Sequence, residues 1–416
     1  MLRVRQRFPA SPRLNVEATV GEALAGFTGS LRPHARVAVA VGSRGITDLE
    51  LMVRTAIRVL KQAGTEPFIL PAMGSHGGAT PAGQTTLLAE YGITEVQLGV
   101  PVRAAMEVAE IGVTGDGLAV VCSVEALRAD AVLLVSRSKP HTDFGGAVGS
   151  GLLKMLVVGL GKHAGAASFH RAAARFGHER VLRESARVLR RRVPLLGGLA
   201  IIENQRHETA RIEFVRPEEF ESREETLCAE ARALMPTLPF DTVDLLIVDR
   251  LGKNISGTGM DPAVIGRLIH GYSLSEGPDQ VPPRVRRLFV RDLTPESHGN
   301  AIGIGLADFT TTRLVRAMDP RATAINALTA LSLQGAKIPI HFDTDREVMM
   351  QAWGTLPFVT PTSARLVRLR DTLSVEMLEV SEACLAAPEA AGRLEPLGQP
   401  QELRFEADGN LPALEF

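Results

Sequence analysis

The residues of this 416-residue chain whose types could do chemistry are crowded into positions 129–170, ADAVLLVSRSKPHTDFGGAVGSGLLKMLVVGLGKHAGAASFH. His141 follows a proline, Lys154 stands among aliphatic residues, Lys162 and His163 form a pair, and His170 closes the run. Imidazoles titrate near neutral pH, so they transfer protons and bind metals. A lysine amine taken out of water has a lowered pKa and can attack a carbonyl or thiocarbonyl carbon. Lysine is also scarce: the chain has six, against 40 arginines, and three of the six fall in this stretch.

Each residue has two readings at this stage. Lys154, in GLLKMLVVGLG, either snorkels its ammonium to solvent or is a desolvated nucleophile. His163 reads as loop or helix-surface material. His170, on a predicted helix with Ala164, Ala166, Ala167 and Phe169, is either a satisfied structural histidine or a metal ligand. Two further residues belong with them. Arg44, in GSRG, is a solvated loop arginine or an anion ligand, and His76, in MGSHGG, caps the next helix or faces a ligand that the glycines let approach.

The elements that must position these groups follow from pattern. Arg36 to Val41 is a buried parallel strand. Asp48 is the expected N-cap of a helix with Leu49, Met52, Val53, Ala56, Ile57 and Leu60 on one face, closed by Gly64. EPFILPA is a second strand, and Thr80, Pro81 and Gln84 mark another helix start. Two strand–loop–helix units in succession imply a parallel sheet with right-handed crossovers. Ligands of such sheets lie outside the carboxyl ends of the strands. Arg44, His76 and His141 each follow a strand end, so all three are expected on one edge.

The whole chain bounds the remainder. Its length suits two domains with full cores. A hydrophobic content of 45% with 22% charge is that of a globular protein, and a net charge of -1 gives no electrostatic footprint for nucleic acid. Cys122, Cys228 and Cys384 are too few and too scattered for a disulfide framework or a CxxC metal site. Apolar runs are too short for a membrane helix, and MLRVRQRFPASPRL has no signal-peptide core. A soluble, cytoplasmic protein is expected. HERVLRESARVLRRRV is a basic amphipathic helix whose charge reads as a solvated face.

Pro236 and Pro239 mark a boundary. The expected division is an N-terminal α/β domain at 1–238, to which a tail at 395–416 returns, and a C-terminal α/β domain at 239–394. Both sheets are mainly parallel, with an active-site cleft between the domains. Lys253 lies in the second domain's first loop beside Gly252, Gly257 and Gly259 and either binds an anionic substrate or is simply exposed. That loop is neither a Walker motif nor GxGxxG.

Arg44, His76, His141, Lys154, Gly159 and His170, in this order and spacing, together resemble the nickel-pincer-nucleotide-dependent lactate racemase family and its relatives among 2-hydroxyacid racemases and epimerases. The motifs cover the first ~170 residues and the two-domain layout covers the chain. The resemblance implies a pyridinium-derived mononucleotide, carrying nickel, covalently attached to Lys154, with His170 completing the metal's coordination. It implies His76 and His141 as the two acid/base groups of a two-faced reaction, Arg44 on the substrate carboxylate, and a supply of cofactor from biosynthetic enzymes. Here the glycine-rich run between His141 and Lys154 is longer than in the lactate enzymes. Where those enzymes contact substrate through a tyrosine, a glutamine and a lysine, this chain has GKNISGTGMDP. The substrate so implied is a hydroxyacid larger than lactate or differently charged, with Lys253 as a ligand. Two other readings stand beside it: a metal-dependent hydrolase or lyase with His76, His141 and His170 on a simple ion, and a cofactor-less binding protein of the same fold.

Overall fold

A computed structural model describes residues 1–11, 13–43, 45–141, 146–267, 283–357 and 359–414. The chain forms two compact units, Ser11–Met235 and Met1–Ala10 with Pro236–Phe416. Both are α/β with mostly parallel sheets, as the alternation of strand and helix signals requires. Among the described residues no helix is long and apolar enough to cross a membrane.

The first strand, β1 (Leu2–Gln6), departs from the expected division: it pairs within the unit that holds Pro236–Phe416. The Ser11–Met235 unit then contains β2 (Arg36–Val41), β3 (Glu66–Pro71), β4 (Val108–Val113), β5 (Ala119–Ser123), β6 (Ala131–Arg137), β7 (Leu195–Glu203) and β8 (Thr209–Val215). Its main sheet has the order β3-β2-β6-β7-β8, parallel except for the β7–β8 hairpin, while β4 and β5 form a separate antiparallel pair. The central strands are apolar on both faces because helices cover both. Val37, Val39 and Val41 pack toward the Leu49–Gln62 helix, and Ala38, Ala40 and Leu134 toward Phe169, Leu182 and Leu227. The chain leaves β2 for β3 on one side and reaches β6 on the other, so the switch point lies at the carboxyl end of β2.

Local signals mostly act as read. Thr80 caps the Pro81–Glu90 helix through Gly83 N, and Gly64 takes a φ of +77° just past the Leu49–Gln62 helix. Asp48 does not cap as expected. It sits at φ +60° with no side-chain bond into the helix, and its carboxylate instead receives the Thr209 hydroxyl at 3.4 Å. The basic His178–Arg190 helix has a paired face: Arg183 meets Glu179 and Glu225, each at 2.6 Å, and Arg187 meets Glu221 at 2.9 Å.

The other unit holds β9 (Thr242–Leu251), β10 (Arg284–Leu293), β11 (Phe309–Thr311), β12 (Ile340–Phe342), β13 (Leu366–Leu369), β14 (Met377–Val380) and β15 (Leu394–Pro396). With β1 they make one sheet ordered β12-β11-β10-β9-β13-β14-β1-β15. The tail expected to return to the N-terminal domain stays here: β15 pairs with β1, and Leu411 is bonded to Asp345 and Arg291. Charge is buried in this unit as a network. Arg368 bonds Asp249 at 2.7 Å, Arg291 bonds Asp249 at 2.7 Å and Asp345 at 2.6 Å, and Arg313 reaches Asp345 at 2.8 Å.

Candidate functional site

Three adjacent strand ends build the site. Past β2 come Gly42 and Ser43; Arg44, expected to bind the substrate carboxylate, lies outside the described residues. Past β3 the chain runs through Ala72 to His76, which is exposed. The Ser43 hydroxyl is hydrogen-bonded to His76 Nδ1, so the first loop fixes the ring of the second. Tyr91 donates its hydroxyl to the Ser43 carbonyl at 2.9 Å and holds that loop in turn. Past β6 come Ser138 and His141; Ser138 continues the parallel register by donating to the Ile201 carbonyl at 2.7 Å.

The segment after β6 returns a lysine to this edge. Lys139 and Ser150 exchange two backbone hydrogen bonds of 2.8 Å, closing a loop that carries His141 at its start. A helical segment follows, Leu152–Lys154 and then the π-helical turn Met155–Gly159. Leu152, Leu153, Met155 and Leu156 are buried, but Lys154 is half-buried. Its ammonium is 2.5 Å from His141 Nε2 and donates to Ser150 Oγ at 3.4 Å. Of its two readings, snorkelling and desolvated nucleophile, neither describes this amine fully. It is partly withdrawn from water, and an imidazole stands beside it.

The His76 loop is seated on the same segment. Gly74 donates to the Gly159 carbonyl, and a Cβ added at Gly159 would come 2.7 Å from the Ala72 carbonyl oxygen. Glycine is therefore needed at 159 for the loop and the π-turn to approach this closely. Beyond the turn, the Lys162–Phe176 helix carries His170, half-buried and edge-on to Phe169 at 5.5 Å. Thus the structure brings together His141 with Lys154 and ties the His76 loop to the segment bearing Lys154. His170 follows on the next helix of that segment. Among the described residues no group of three or more His, Cys, Asp and Glu side chains is arranged to hold a metal ion.

Lys253 belongs to the other unit. Its ammonium donates to the Gly257 carbonyl of its own loop at 2.6 Å, and its backbone N–H donates to Ser297 Oγ at 2.9 Å.

Sequence reasoning gave no site role to three residues. Lys162 looks like a bystander in GLGKHAG, yet it is wholly buried. Its ammonium donates to the Pro71 carbonyl at 2.6 Å and to Gln84 Oε1 at 3.3 Å, while Gln84 donates to the Gly74 carbonyl at 3.0 Å. Lysine and glutamine together hold the His76 loop from beneath. Lys162 keeps a φ of +55°, a conformation a non-glycine residue holds only when its surroundings fix it. Burial pulls its pKa from 10.5 down to about 8, with Cys122 and Glu125 acting in the opposite direction. The third is Glu224, wholly buried beneath Leu152 and Leu153, whose carboxyl burial pushes up from 4.5 to about 8. A lysine followed by glycine-rich sequence, and a glutamate on an acidic helix, carry no signal that separates them from surface residues.

No protein-family model matches the sequence, and no curated protein does. Among the solved structures that share the fold is the lactate racemase apoprotein from Thermoanaerobacterium thermosaccharolyticum, with 13% sequence identity, 89% of this chain and 93% of that chain covered, and a TM-score of 0.50.

Proposed function

We propose that this chain is a racemase or epimerase of a 2-hydroxyacid other than lactate, acting with a nickel-pincer nucleotide attached to Lys154. The contact between the Lys154 amine and His141 Nε2, at the carboxyl ends of parallel strands, carries the reading. It puts a candidate tether and a candidate proton carrier side by side, in a chain that has the fold of a lactate racemase apoprotein. The residues fit the group: the amine is half-buried beside a glycine-rich loop and backed by buried aliphatics, as an attachment point shielded from bulk water needs.

When bound, the nucleotide supplies a reversible hydride acceptor. The chain supplies the rest. A Lys154 that carried the group would no longer set an ammonium against His141 Nε2, and that nitrogen would be free to take the proton of a substrate hydroxyl. His76, oriented through Nδ1 by Ser43, does the same on the opposite face, so either enantiomer finds a base and its product an acid. His170 would hold the metal through a neutral imidazole, a ligand that suits nickel. Arg44 holds the carboxylate through a bidentate fork. Lys253 is assigned to the substrate's remaining polar group, for which it must exchange its bond to Gly257.

Enantiopure 2-hydroxyacids deuterated at C2, mono- and dicarboxylic, test the reaction class on protein co-produced with the cofactor-synthesis enzymes. The expected result is inversion with the deuterium kept at C2. Inversion with the label lost to solvent would mean proton abstraction at carbon and contradict the proposal.

A further inference from the structure

The segment that leads into Lys154 must be held for the lysine to stand in register. Two helices do so from below. Glu179 accepts from Ala147 N at 3.0 Å, Arg232 donates to the Gly146 carbonyl at 2.9 Å, and Cys228 lies against Gly149. At the end of the loop stands Glu224, on the Phe220–Ala233 helix and 1% exposed. Its Oε2 accepts from Leu153 N at 2.8 Å, and Leu152 N donates to the same carboxyl. These are two of the first N–H groups of the Leu152–Gly159 helical segment, which have no partner within it. Its Oε1 has no hydrogen-bond partner among the described residues and fills the space above Gly151, where an added Cβ would come within 2.5 Å of it.

We infer that Glu224 is a positioning residue: from 71 residues away it caps the segment that presents Lys154, and thereby fixes the lysine amine against His141. An ordinary N-cap is the residue just before the helix, but Gly151 has no side chain to offer. Glu224 replaces it from another helix, and the missing Cβ at 151 is what admits its carboxyl. Burial in apolar surroundings favours the neutral acid, so the cap is a carbonyl oxygen accepting N–H bonds, a role that glutamine reproduces and leucine does not. The inference rests on the proposed function only for calling Lys154 the tether; its test uses the unloaded full-length chain.

Competitive trace acetylation, read peptide by peptide by mass spectrometry, measures the accessibility of Lys154 against exposed Lys337, with buried Lys162 as an internal report of folding. In the natural chain Lys154 should label more slowly than Lys337. In E224L its labelling should rise about fivefold while Lys162 stays unlabelled, the change in open population that the loss of one cap gives. E224Q should stay within about twofold of the natural chain. Unchanged labelling of Lys154 in folded E224L would overturn the inference, and so would E224Q behaving like E224L. If E224L exposes Lys162 as well, E224D takes its place: its acceptor is withdrawn by one methylene, so Lys154 should label faster with Lys162 protected, and an unchanged rate there overturns the inference. None of these readings depends on cofactor or turnover.

Discussion

Lys154 Nζ lies 2.5 Å from His141 Nε2, with Ser150 Oγ as a further partner of the lysine at 3.4 Å. Twelve residues of glycine-rich chain separate the two, and the Lys139–Ser150 bridge folds them together. If the pair is tether and acid/base group, their substitutions must separate by readout. K154R keeps the charge but cannot be acylated, so it should take up no adduct and show no turnover. H141Q should take up the adduct and lose turnover by roughly 10²–10⁴-fold, the range for a lost acid/base group. Intact mass and initial rates distinguish the two. An H141Q protein that turns over normally would remove His141 from the mechanism.

Gly159 tests the packing under His76. A methyl group there meets the Ala72 carbonyl oxygen at 2.7 Å, and backbone cannot give way as a side chain can. G159A should destabilise the protein by about 1–3 kcal/mol, as overpacking does, and lower turnover through the displaced His76 loop. Thermal unfolding with steady-state kinetics checks both.

The two buried titratable groups give opposite pH dependences. Glu224 has its folded pKa raised from 4.5 to about 8, so the stability it contributes is full below pH 4.5 and is lost as the pH rises to 8. Lys162 has its folded pKa lowered from 10.5 to about 8, so its contribution is full above pH 10.5 and is lost as the pH falls through 8. Each slope is at most about 1.4 kcal/mol per pH unit. Urea denaturation should therefore find a stability minimum near pH 8 from these groups. E224Q should flatten the limb below pH 8 and K162M the limb above it. Unchanged slopes in both variants would contradict the assignment.

The fold was legible where burial leaves a continuous signal. Strands β2, β3 and β6 read as apolar runs because helices cover both faces of their sheet, and each ends in a loop whose residue types mark an edge site. The contact of His141 with Lys154 depends instead on the Lys139–Ser150 bridge, which no strand run signals. Glu224 was not legible: Glu218, Glu219, Glu221, Glu224 and Glu225 look alike in sequence, and only packing selects which one is buried. Lys162 and Gln84 were hidden for the same reason, since their partners are carbonyl groups that any residue could supply. LRVRQ alternates as a strand should, but nothing local says that its partner is Met377–Val380. That long-range pairing is why the expected division at 1–238 misplaces the first ten residues relative to the observed units.

In the other unit, the buried Arg291–Asp345 and Arg368–Asp249 pairs make a prediction independent of function. Asp345 is fully buried and receives bonds from Arg291, Arg313 and Leu411 N. D345A leaves buried guanidinium charge uncompensated and should cost about 3–5 kcal/mol. Hydrogen exchange should localise the loss to the unit made of Met1–Ala10 and Pro236–Phe416. Exchange in Ser11–Met235 should not change.

The most direct test of the central claim is the intact mass of the full chain co-produced with the cofactor-synthesis enzymes, followed by peptide mapping and metal analysis. The expected result is a nucleotide-sized adduct on the peptide containing Lys154, with about one nickel per chain, lost in K154R. An unmodified Lys154 under conditions that load a lactate racemase in parallel would contradict it.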